Sequence, residues 1–181
     1  MTNWIIVTLA ASIVALLHPP LQYWAALQPS RVFHGELWRL FTWPFVETGP
    51  IMLVVTCLSI YKFGGELVVR WGERRLQRFM AQVLLAAGVI TCLLAMLVGA
   101  QYLRRLGGIA VMNVLVIAWA RQFPERTLVL YNLVAFSGQR LVNVTCGIVI
   151  LLALATSPVW LAPELVACGF AALYPRSWLR R

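Results

Sequence analysis

The side chains able to do chemistry are few and widely spread. His34 and Glu36 could form an acid–base pair, and His18 with His34 could bind a metal. Neither set has a third partner at suitable spacing, and metal sites need three or more ligands. The residues therefore favour a solvated or interfacial role for all three, with no metal and no cofactor. Lys62 and Glu66 lie four apart, on one face of a helix, near the end of an apolar segment. A membrane-buried charge pair points to function by default; a snorkelling pair at the interface is the plainer expectation. Asn113, Gln139, Arg140 and Asn143 either line a polar cavity or make interhelical hydrogen bonds of about 0.6–2 kcal/mol each. Gly64-Gly65 and Gly107-Gly108 lack the Lys-Ser of a phosphate loop and suit helix ends or close packing. Cys57, Cys92, Cys146 and Cys168 sit in apolar runs without paired spacing, as buried inert thiols do. Asn143-Val144-Thr145 matches a glycosylation acceptor but falls in or beside an apolar segment, where it would not be used.

These groups must be positioned by elements that live in lipid. Of 181 residues, 61% are hydrophobic and 12% charged, with a mean hydropathy of +0.82. A soluble domain carries roughly 25% charged residues. The composition excludes a water-soluble globule and predicts a polytopic helical membrane protein. The net charge of +9 comes from Arg clustered in short loops. Loop placement and anionic lipid headgroups account for it without nucleic acid.

Six apolar segments are predicted, at about Trp4–Leu17, Ile51–Val69, Phe79–Val98, Leu106–Ala120, Leu141–Thr156 and Val159–Leu173. The run Thr127–Phe136 is apolar too, and is expected to be a re-entrant or interfacial piece leading into the fifth. Spanning a ~30 Å hydrocarbon core takes about 20 residues. A fourth segment of fifteen residues reaches only roughly 22 Å. Either its neighbours shield it, the bilayer thins around it, or its polar flanks complete the length.

With six spans, Arg70, Arg74, Arg75, Arg78, Arg121, Arg126, Arg176, Arg180 and Arg181 fall on one side. Arg31, Arg39, Arg104 and Arg105 fall on the other. The imbalance puts both termini on the cytoplasmic or matrix side. All eight tryptophans lie near segment ends or in the first loop, as an interfacial belt would. No cleavable signal is evident, so the first segment is expected to act as an uncleaved anchor. Endoplasmic reticulum, mitochondrial inner membrane and bacterial plasma membrane all fit.

Gly35-Glu36-Leu37-Trp38-Arg39-Leu40-Phe41-Thr42 resembles the Trp-Arg motif in the first loop of rhomboids and derlins. Phe63-Gly64 and Gly72 followed by Arg74 are similar to that superfamily's second-helix ending. Met112 to Arg121 resembles the fourth helix of derlins, and Tyr174-Pro175 the end of the derlin core. The resemblance implies one all-α domain over residues 1–181, a six-transmembrane-helix rhomboid-like bundle whose first loop, about 18–50, is partly interfacial. Trp38 would sit at the interface while Arg39 reaches phosphates or loop carbonyls.

The departures bear on chemistry. Rhomboid proteases place a Gly-x-Ser-Gly nucleophile at the start of the fourth helix and a general-base His in the sixth. Here the fourth begins Arg104-Arg105-Leu106-Gly107-Gly108, no serine lies between Ser59 and Ser137, and both histidines are in the first loop. A nucleophile needs its base within hydrogen-bond reach. The chain also stops at Arg181, without the cytosolic tail by which derlins recruit an unfoldase. A non-enzymatic pseudoprotease is expected. It would bind other membrane proteins, and anionic lipids, in translocation, quality control or membrane-complex assembly. The alternative is a fixed subunit of a large membrane complex, such as a respiratory or photosynthetic one.

Overall fold

The computed structural model describes residues 2–47, 49–130, 134–155 and 161–174. Its elements follow the hydropathy pattern closely. Helix α1 spans Thr2–Leu17. The first loop then folds into α2 (Pro19–Ala25), α3 (Pro29–Phe33), α4 (Arg39–Thr42) and a 3-10 turn, Trp43–Phe45. Pro19 and Pro29 open their helices because the first turn needs no proline N–H. Pro50 does the same for α5 (Pro50–Ser59), which passes through a π-helical turn, Ile60–Gly64, into α6 (Gly65–Trp71).

Gly72, at φ +81°, ends α6 in a conformation that side chains with a Cβ rarely adopt. Helix α7 (Glu73–Leu97) starts at once, six residues before the predicted segment. Glu73 in its first turn favours that early start through the helix dipole. Helix α8 is Gly108–Gln122, α9 is Gly138–Ala155 and α10 is Ala162–Leu173. The predicted sixth segment begins partly outside the described residues.

Three of these runs are long and apolar enough to cross a membrane: Pro50–Trp71, Glu73–Leu97 and Gly138–Ala155. The helices at Asn3–Leu17, Gly108–Gln122 and Ala162–Leu173 are apolar but shorter. The protein is thus a polytopic helical membrane protein. It is not purely helical, however. Thr127–Leu130 (β1) pairs antiparallel with Val134–Ser137 (β2), Thr127 opposite Ser137 and Leu130 opposite Val134. The apolar run before α9 therefore contains an antiparallel strand pair whose second strand leads into the helix.

Helix α8 is the centre of the bundle. From Ala110 to Ala120 it buries every residue except Met112, against α5, α7, α9, α10 and the first loop. Its shortness is therefore shielded by protein rather than by lipid. The core continues through Trp43, Leu67, Leu76, Met80, Ala87 and Ala167. Trp43 and Trp119 are fully enclosed and Trp71 nearly so. These three indoles are core side chains, not members of an interfacial belt. Trp24 and Trp38 are exposed.

Candidate functional site

The first loop is organised around Arg39. Its guanidinium, only 4% exposed, donates through Nε to Glu36 Oε2 at 2.6 Å. Its Nη1 donates to the carbonyls of Tyr23 (2.5 Å) and Ala26 (2.8 Å). One planar fork thus ties α4 to the end of α2. Of the two roles open to Arg39, the structure shows the loop carbonyls. Thr42 Oγ1 adds a bond to the Ala25 carbonyl at 3.0 Å. Trp38 stacks on Trp24, with ring centroids 5.3 Å apart and planes 21° from parallel.

Glu36 also accepts from Arg31 Nη1 at 2.9 Å. Arg31 first, and then Arg39, hold its carboxyl below the usual range. His34 sits with Nδ1 2.6 Å from the Ser30 carbonyl, and His18 and His34 are both exposed. Among the described residues, no three of His, Cys, Asp or Glu gather to hold a metal.

A second polar cluster lies at the start of α8, where the resemblance would place a protease nucleophile. Glu47 is buried there, and Thr56 Oγ1 donates to its Oε1. The Glu47 backbone N–H donates to Ser12 Oγ (3.1 Å), whose hydroxyl donates to the Phe45 carbonyl (3.2 Å). This links α1, the first loop and α5. The Glu47 carboxylate occupies the space a Cβ at Gly108 would need, and the Trp43 ring occupies that at Gly107. The glycine pair exists for close approach. A helix N-terminus beside a carboxylate is electrostatically favourable.

The other predicted residues separate. Asn113 is buried in α8, and its Nδ2 has no hydrogen-bond partner among the described residues. Gln139, Arg140 and Asn143 are exposed on α9. At helical spacing those three share one face, and that face looks outward, so the four do not form one enclosed polar cavity. Nor do Lys62 and Glu66 pair. Glu66 Oε2 accepts from Trp119 Nε1 (2.8 Å) and Arg126 Nη1 (2.9 Å), while Lys62 is exposed. The π-helical turn containing Lys62 supplies the reason. Its i→i+5 bonding removes the i,i+4 alignment of a regular helix.

Two buried carboxylates escape the sequence reading. Besides Glu47, Glu164 in the first turn of α10 is 1% exposed and accepts from Arg105 Nη2 at 2.8 Å. Their available signal was being acidic in apolar surroundings, in a chain with six Glu and no Asp. Their partners are far away in sequence, so spacing could not reveal them.

Residues 2–179 match the family described as eukaryotic integral membrane protein (DUF1751), and the chain belongs to that family. No curated protein matches it.

Proposed function

We propose that this membrane protein is a non-catalytic, derlin- or rhomboid-like holder of other transmembrane segments. It would act in translocation, quality control or the assembly of membrane complexes. The observation that carries this reading is α9. It is long enough to span, yet only 17% of its spanning window is buried, against 44% for α7. Ile148, Leu151 and Leu154 leave an apolar face open to another helix.

Support for a non-catalytic role comes from the start of α8. Trp43 and the Glu47 carboxylate fill the space around Gly107-Gly108, and both histidines lie away in the first loop. Helix α1 supports local thinning. Its sixteen residues reach about 24 Å, and Ile6, Leu9, Ile13 and Leu17 face outward. A ~30 Å hydrocarbon layer must adjust to that length.

Photoreactive residues at Leu151 and Leu154, with Val69 of α6 as the control, test the reading in native membranes. Cross-links to several membrane proteins from α9, and not from position 69, are expected. Cross-links to one protein at constant ratio would establish the fixed-subunit alternative. Lipid adducts alone at all three positions would remove both.

A further inference from the structure

Two hollows meet at Trp24. One, of about 460 Å³, is lined by Tyr23, Gln28, Arg31, Arg39 and Arg104. The other, of about 490 Å³, is lined by apolar side chains of α1 and the first loop, among them Val7, Ala11, Val14, Leu21 and Phe41. Both volumes lie in the ~300–1,000 Å³ range of ligand sites. Trp24 contributes to each wall, and its stack on Trp38 makes that wall stiff.

The charges in the first hollow are unbalanced. Arg39 is committed to Glu36 and two carbonyls. Arg31 shares the same Glu36 and is 58% exposed. Arg104, from the loop between α7 and α8, is exposed and lies 4.7 Å over the Tyr23 ring. Among the described residues it has no carboxylate partner. One carboxylate therefore stands among three guanidiniums, and it is bonded to two of them. Arg104 is also held in place, because Leu27 and Arg105 exchange backbone hydrogen bonds of 2.8 and 3.0 Å.

An excess of guanidinium beside an apolar trough, separated by an indole, matches one kind of molecule. Guanidinium groups suit phosphate oxygens. Indoles favour the headgroup level of a bilayer. We infer that this is a binding site for an anionic phospholipid. The phosphate would lie between Arg31 and Arg104, and one acyl chain would run along α1 past Trp24. The side of the membrane is that of the first loop and the α7–α8 loop. This inference does not depend on the α9 reading above.

The test is native mass spectrometry of the purified full chain in detergent. Phosphatidylglycerol or phosphatidylcholine with identical acyl chains is added, and inorganic phosphate is the competitor in a parallel arm. One phosphatidylglycerol should be retained in preference to phosphatidylcholine. Arg104→Gln should weaken it about fivefold, as expected for one basic residue near an anionic headgroup. Arg74→Gln, which changes the net charge equally on an exposed part of α7, should not. Ala11→Phe should weaken both lipids by filling the trough. Equal retention of the two lipids, or equal effects of Arg104→Gln and Arg74→Gln, would overturn the inference. So would displacement of the lipid by phosphate alone at comparable concentration, which would mark a simple anion pocket.

Discussion

Arg39 shows how much one side chain can organise. It donates to one carboxylate and to two backbone carbonyls, of which the bond to Ala26 is buried. Arg39→Ala should destabilise the protein by about 1–3 kcal/mol, the cost of leaving the buried Ala26 carbonyl without its donor. Arg39→Lys should recover little, since an ammonium cannot reproduce the fork. Apparent melting temperature in detergent, followed by Trp fluorescence, checks both. Glu36 adds a pH dependence. Its folded-state pKa is depressed by Arg31 and Arg39, so its contribution is complete above the ordinary carboxylate range. That contribution disappears as pH falls through the lower, folded value. Wild type should therefore lose stability in acid more steeply than Glu36→Gln, and parallel pH curves would refute this. Trp38 and Arg39 were singled out in the sequence through the resemblance of their motif. Glu47 and Glu164 were not, because their partners Thr56 and Arg105 are 9 and 59 positions away.

The segments between charged turns were legible because lipid demands long apolar runs, and each predicted run contains a helix. What was not legible is the local backbone geometry between the long helices. The apolar run expected as a re-entrant or interfacial piece holds two antiparallel strands, Thr127–Leu130 and Val134–Ser137, that lead into α9. The π-helical turn at Ile60–Gly64 redirects the face that should have paired Lys62 with Glu66. A contrast follows from that turn. Lys62→Gln should change stability by less than about 0.5 kcal/mol, as an exposed substitution does. Glu66→Ala should cost about 1–3 kcal/mol, because the buried Trp119 indole loses its acceptor. The start of α8 gives a sharper case. Gly108→Ala puts a methyl into the Glu47 carboxylate and should cost about 1–3 kcal/mol of overpacking. Glu47→Ala opens that space, so the double variant should be less destabilised than the two single changes summed. Strict additivity in unfolding measurements would show that the two positions do not meet.

At the scale of the whole molecule, the helices disagree about bilayer thickness. Helix α7 has 25 residues, about 37 Å, while α1 has 16, about 24 Å. Helix α8 is short without consequence, since it touches almost nothing but protein. Helix α1 has no such cover: Ile6, Val7, Leu9, Ile13, Val14 and Leu17 are all exposed. A long helix can tilt into a thin membrane, but a short one cannot stretch into a thick one. Thinning around α1 is then the remaining adjustment, and its cost grows with each ångström of mismatch. The protein should consequently be more heat-stable in bilayers of short-chain phosphatidylcholine than in long-chain ones with the same headgroup. Inserting four leucines in α1 after Leu9 adds about 6 Å and should shrink that difference. The insertion also rotates the end of α1 by roughly 40°, so an insertion of seven residues, close to two full turns, serves as the companion variant. Melting temperatures independent of acyl length in the wild type would mean that α1 does not set the local thickness. A length dependence abolished by both insertions would place the deformation at α1 itself.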